Sequence, residues 1–116
     1  MVAVMLSDPL DRMFAALAEP QRRGMVEHLS AGPATVKQLA GVSGMRLPSA
    51  VKHLQVLEAG GIVASRKVGR TRTFHLNPEA MRTIGEWARR REGAWRSAFD
   101  RLEAAMLDAM EEEGER

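Results

Sequence analysis

Six cations crowd the stretch from Arg46 to His75: Arg46, Lys52, Arg66, Lys67, Arg70 and Arg72, against the single acid Glu58. Guanidinium and ammonium groups at this density suit a polyanion, nucleic acid first, because each phosphate they neutralise releases condensed counterions. A solvated, solubilising face is the other reading of the same excess. The overall balance hides it. The 116 residues carry 17 Lys and Arg against 15 Asp and Glu, a net charge of +2, yet residues 46–101 hold twelve basic and five acidic side chains and residues 102–116 hold one and six.

Other chemistry is poorly served. The chain has no cysteine, hence no disulfide framework, zinc finger or thiol nucleophile. It offers no glycine-rich phosphate loop, nucleophile elbow, paired carboxylates or metal-ligand cluster, so no enzyme activity, cofactor or metal is expected. Of the three histidines, His28 reads as structural. His53 reads as a half-buried hydrogen-bonding group or a contact to a bound polyanion, and His75 as a phosphate contact or a packing residue. A composition 45% apolar and 28% charged is that of a folded protein. Its length suits one domain over residues 1–116. Met1 to Leu6 lacks a basic leader and a long apolar run, so no signal peptide or membrane span is expected and the chain reads as cytoplasmic.

The elements that must position these cations follow from caps and periodicity. Asp8-Pro9 opens a helix to about Ala18 with Leu10, Met13, Phe14 and Leu17 at helical spacing, and Glu19-Pro20 restarts one to about residue 31, before Gly32-Pro33. Thr35 to Gln38 fits a capping box, opening a short helix that ends near Gly41. Gly41 to Gly44 serve as the turn, and a further helix runs from about Pro48 to Ala59 with Leu47, Ala50, Leu54 and Leu57 on one face and Gly60-Gly61 as its stop. Two short helices about a glycine turn, over about 35–59, make a helix-turn-helix candidate. The period then changes to two. Ile62–Val68 and Arg72–Leu76 flank Gly69-Arg70-Thr71 as a β-hairpin over about 62–76. Asn77-Pro78-Glu79 starts a helix over about 78–112, on the order of 50 Å long, with Trp87, Trp95, Phe99, Leu102 and Met106 on its apolar stripe. A second subunit is the expected cover for that stripe. Glu111 to Glu113 oppose the dipole at its end and predict fraying.

This order of elements resembles a winged helix-turn-helix of the ArsR/SmtB family of bacterial transcriptional repressors. The resemblance covers roughly residues 8–110. Phe14 to Arg23 (FAALAEPQRR) is similar to the family's leading segment, Met45 to Val63 (MRLPSAVKHLQVLEAGGIV) to its recognition-helix block, and RKVGRTRTFHLNPEAMR to its wing and last-helix start. Trp87 and Trp95 in EWARRREGAW resemble a cysteine-free, autorepressor-like branch. Arg46 departs from the family's frequent serine and Val51 from a small polar residue. Val36 to Leu39 stand where metal-sensing members carry cysteines, so a metal sensor is not expected.

The fold class implied is mainly α with a small β-hairpin wing, dimeric through the first and last helices. The function implied is binding of double-stranded DNA as a homodimer, probing two half-sites of a pseudo-palindromic operator roughly 34 Å apart, with repression by occupancy. A recognition helix must show polar atoms to the major groove while its other face is held in the core. Arg46, Ser49 and Lys52 are the expected base or phosphate readers, with His53 and Gln55 beside them. Arg70 is the expected minor-groove contact, and Arg66, Lys67 and Arg72 the phosphate contacts. Leu10, Phe14, Trp87, Trp95, Phe99, Leu102 and Met106 are the expected dimer interface, the lining of an effector pocket being the other reading of Trp87, Trp95 and Phe99. The alternative is a protein-interaction module of the same fold that has lost DNA binding. The sequence names no effector ligand.

Overall fold

Three helix starts in this chain pair a capping side chain with a proline, and the computed structural model, which describes residues 8–115, shows all three in use. Asp8 accepts a hydrogen bond from the Leu10 N–H (2.8 Å), and Pro9 opens α1, Pro9–Leu17. Glu19 accepts from the Arg22 N–H (2.8 Å) at the head of α2, Pro20–Leu29. Proline suits these positions because the first helical N–H has no partner within the helix. α2 stops at Leu29 rather than near residue 31, since beyond Ser30 the N–H groups of Ala31 and Gly32 reach only three residues back, to the His28 and Leu29 carbonyls at 3.1 Å, in place of the helical four. The apolar opening Met1 to Leu6 lies outside the described residues.

Thr35 and Gln38 form the expected reciprocal box: the Gln38 N–H donates to Thr35 Oγ1 (3.2 Å) and the Thr35 N–H to Gln38 Oε1 (2.9 Å). The helix they open, α3 (Val36–Ser43), runs past Gly41. Its stop is Gly44, whose φ of 63° is the left-handed conformation that favours glycine. The expected turn over Gly41 to Gly44 is thus mostly helix, because a glycine inside a helix costs only about 1 kcal/mol and the buried Leu39 and Ala40 hold this one. α4 spans Leu47–Ala59.

Two strands, β2 (Val63–Val68) and β3 (Thr71–Leu76), pair antiparallel from Val63 opposite Leu76 to Val68 opposite Thr71. Their turn is Gly69-Arg70, with φ +64° at Gly69 and no positive φ at Arg70, the pattern of a II′ hairpin turn. The sheet is larger than the expected hairpin. Ala34–Thr35 forms a further strand, β1, against β3, giving the order β1-β3-β2. Two residues after a proline carry no periodicity, so nothing local announces this strand. The Phe74 opposite Ala34 supplies it.

α5 is one helix, Pro78–Gly114. Asn77 starts it, accepting from the Glu79 N–H (3.1 Å) while its own N–H donates to Ile62 O (2.9 Å) and its amide to Gly61 O (3.1 Å). The expected fraying at Glu111 to Glu113 does not end the helix. Glutamate is a good helix former, and an unfavourable dipole contact at an exposed end costs only about 0.3–1 kcal/mol. By internal contacts the chain divides at Ile84 and Gly85. The unit ending at Ile84 holds the buried core, in which Met25, Leu39, Leu54, Leu57 and Ile62 are fully enclosed, each worth about 1.5–3 kcal/mol against exposure. The unit from Gly85 is the rest of α5, exposed throughout residues 86–115 except at Trp87, which is half-buried.

Candidate nucleic-acid interface

α4 separates its faces sharply. Ala50, Leu54 and Leu57 are 0%, 1% and 0% exposed and lie in the core, whereas Ser49, Lys52, Gln55 and Val56 are exposed. Leu47 corrects the expected inward face. It shares the stripe but is 49% exposed, because at the first residue of the helix the stripe has run past the core. The helix begins at Leu47 with Arg46 in the capping position and no side-chain cap bond. Its first N–H groups therefore lack the usual side-chain acceptor, and the exposed Arg46 stands beside them, an arrangement that suits an anion.

The C-terminal end of α4 is fixed by two glycines with different duties. A Cβ at Gly60 would lie 2.8 Å from Ala16 Cβ and 3.0 Å from the Arg12 carbonyl, so the residue is small because α1 passes close by. Gly61 has φ +78° and turns the chain so that the Ile62 N–H reaches the Leu57 carbonyl at 2.9 Å.

His53 is not on the free face. Its Nδ1 lies 3.4 Å from an Arg22 guanidinium nitrogen and its Nε2 3.1 Å from Gln21 Oε1. A guanidinium only donates, so with a neutral ring Nδ1 accepts from Arg22 and Nε2–H donates to Gln21, whereas a protonated ring turns its charge to Glu19. The same Arg22 donates to the carbonyls of Ala16 (2.6 Å) and Ala15 (3.3 Å), and Arg23 to that of Leu17 (2.8 Å), closing the end of α1. Glu19 Oε2 is 3.7 Å from His53 Nδ1. Desolvation opposes the charge of Glu19. It is outweighed by hydrogen bonds from the backbone of Arg22 and Gln21 and by the nearby His53 and Arg22, which together hold the carboxyl below its ordinary value. These contacts clamp the middle of α4 to the α1–α2 corner. Sequence reasoning missed this duty of Arg22 and Arg23.

On the hairpin, Arg66, Lys67 and Arg70 are exposed toward the Gly69-Arg70 tip. Arg72, expected on phosphate, donates to Ser65 Oγ (2.8 Å), which donates to Glu58 Oε2 (2.9 Å). The chain of bonds ties α4 to the sheet across a cleft of about 310 Å³. Glu58 and Ser65 were not singled out by sequence; the signal available was that Glu58 is the lone acid among the cations. His75, half-buried opposite Ala64, lies on the strand farther from the tip. Of the residues expected at a dimer interface, Leu10, Phe14 and Trp87 are half-buried, while Trp95, Phe99, Leu102 and Met106 are exposed.

Among the described residues no group of three or more His, Cys, Asp or Glu side chains gathers, and no helix is long and apolar enough to cross a membrane.

A short helix, a glycine-ended turn and a second helix with a polar outer face, followed by a basic two-stranded wing, define the class of winged helix-turn-helix DNA-binding transcriptional regulators. A family model described as a helix-turn-helix domain matches residues 17–66. The HTH-type transcriptional regulator Rv2034 of Mycobacterium tuberculosis is 35% identical over 74 residues, 64% of this chain and 69% of that protein. A crystal structure of the ArsR family transcriptional regulator RHA00566 is 38% identical with a TM-score of 0.70, over 77% of this chain and 98% of that one. The homodimeric winged helix-turn-helix DNA-binding domain Mb0332 from Mycobacterium bovis is 26% identical with a TM-score of 0.64, over 78% and 84%. The chain belongs to the ArsR family of transcriptional regulators.

Proposed function

We propose that this regulator acts as a homodimer that represses transcription by occupying a pseudo-palindromic operator. α4 lies in the major groove and the Gly69-Arg70 tip beside the adjacent minor groove. The observation that carries the reading is the division of α4, with Ala50, Leu54 and Leu57 sealed in the core while Ser49, Lys52 and Gln55 face solvent. That is the arrangement a groove-reading helix needs. In this reading Lys52, Ser49 and Gln55 meet base edges, and Arg46, Arg66 and Lys67 meet phosphates. Arg70 enters the minor groove, and Arg72 reaches a phosphate while bracing Ser65. His53 braces α4 rather than contacting DNA. Trp95, Phe99, Leu102 and Met106 pair two copies, with Leu10 and Phe14 contributing from α1. The homodimeric state of the Mycobacterium bovis relative supports the assembly. We assign no catalytic residue and no cofactor, and read the protein as a non-enzymatic regulator of one domain.

The test is a titration of duplex DNA at several salt concentrations. Phosphate contacts require log affinity to fall with log salt at about 0.9 per neutralised phosphate. A flat line would favour the protein-interaction module instead.

A further inference from the structure

Two large apolar side chains stand exposed on α4, beside its polar outer row. Leu47 is 49% exposed and Val51 38%. A spacing of four sets them one turn apart on one edge of the helix, between the sealed Ala50, Leu54 and Leu57 face and the outward Lys52 and Gln55. Both lie in the N-terminal half of α4, the part of a groove-seated helix that reaches base edges. Polar side chains at these positions would stay hydrated at little cost, whereas leucine and valine gain when a partner removes water from them. The chemistry of the groove says what that partner is.

Base pairs present donors and acceptors to the major groove, and a single apolar group, the C5-methyl of thymine. We infer that Leu47 and Val51 read thymine methyl groups, so that each operator half-site carries thymine at the two positions they meet. This rests on α4 entering the major groove, as proposed above, and adds base identity to it. Four residues of helix rise about 6 Å, and successive bases along a strand stand about 3.4 Å apart. The two methyl groups therefore fall within about two base pairs of each other. Lys52, next to Val51, only donates and suits guanine O6 and N7 alongside them. The apolar edge also rejects other bases. Cytosine or adenine in place of thymine sets an amino group against Leu47 or Val51, where it loses water and finds no acceptor.

Uracil in place of thymine removes that methyl group and leaves every hydrogen-bonding atom in position. An operator is selected from random duplexes with the full chain, and each thymine of one half-site is then replaced singly by uracil and titrated by gel shift at constant salt. At two positions, no more than about two base pairs apart, the exchange is expected to weaken binding about fourfold, the share of one buried methyl group. Leu47→Ala and Val51→Ala are each expected to weaken binding to the thymine operator by a similar factor. Each variant should become indifferent to uracil at one of the two positions and stay sensitive at the other. Both side chains are exposed and alanine is the strongest helix former, so the variants keep the fold, which thermal melts verify. A selected half-site without thymine, uracil sensitivity at fewer than two positions, or sensitivity that survives at both positions in either variant overturns the inference while leaving DNA binding intact. Absence of any salt-dependent duplex binding overturns instead the reading on which it rests.

Discussion

At the scale of single residues, cations of the same charge have different duties set by what lies behind them. Lys52 projects from a helix whose opposite face is buried, so in the proposed complex its position relative to a base edge would be fixed. Arg70 sits at the second position of a two-residue turn, where only backbone approach is defined. Lys52→Ala is therefore expected to reduce discrimination between operator and mutated operator, by about 1–3 kcal/mol at the base pair it reads. Arg70→Ala should weaken all DNA alike and lower the salt slope by about one. Competition binding with single-base operator variants separates the two, and unchanged discrimination in Lys52→Ala would remove its base-reading role. Glu19 gives a prediction in pH. Its folded carboxyl lies below the ordinary 4.5, so its contribution to stability is present above that value and disappears as pH falls through the depressed one. Glu19→Gln should thus melt below the parent at pH 7, and the gap should close on acidification below about 4.5. Equal melting temperatures at neutral pH would show that the carboxylate does not hold the corner.

At the scale of elements, α4 is held at three places: the Ala50, Leu54 and Leu57 face, the His53–Arg22–Gln21 contacts, and the close pass of Gly60 over Ala16. Gly60→Ala is expected to cost about 1–3 kcal/mol, since the added carbon lands inside contact distance of Ala16 and the Arg12 carbonyl. Ala16→Gly should recover part of that loss, whereas it should recover nothing of the loss from Gly61→Ala, which arises from the left-handed backbone at φ +78°. Thermal melts of the single and double variants form the test. The wing is held by a different device, the Arg72–Ser65–Glu58 chain, which joins strand β3 to the end of α4.

At the scale of the whole molecule, the proposed homodimer, with its two copies related by a two-fold axis, would read two half-sites on one face of the duplex, about 10–10.5 base pairs apart or a multiple of it. Inserting five base pairs between the half-sites of a selected operator should turn one half-site to the far side and weaken binding roughly tenfold or more, with ten base pairs recovering part of it. Gel-shift titrations on the three spacings decide this, and indifference to spacing would mean that each copy binds alone.

Much of this was legible in the residues. Asp8, Thr35 with Gln38, and Asn77 mark helix starts because a cap is chemistry between neighbours. Ala50, Leu54 and Leu57 mark the buried face of α4 because a period of 3.6 is a local property. Gly69 marks the hairpin turn because the backbone there needs a positive φ, although Thr71, read as part of the turn, pairs with Val68 in the strand. What the residues did not reveal depends on approaches between segments distant along the chain. Strand β1 exists because Phe74 passes Ala34, Gly60 must be small because α1 crosses there, and His53 faces Gln21 and Arg22 across more than thirty positions. Arg72 is engaged by Ser65 because pairing across the hairpin brings them near. Periodicity and capping act over one or two turns of chain, so sequence determined the helices and the hairpin and which face each helix buries; only the tertiary structure, by bringing distant segments into contact, added strand β1 and decided which cations are braced by neighbouring segments, as Arg22 and Arg72 are.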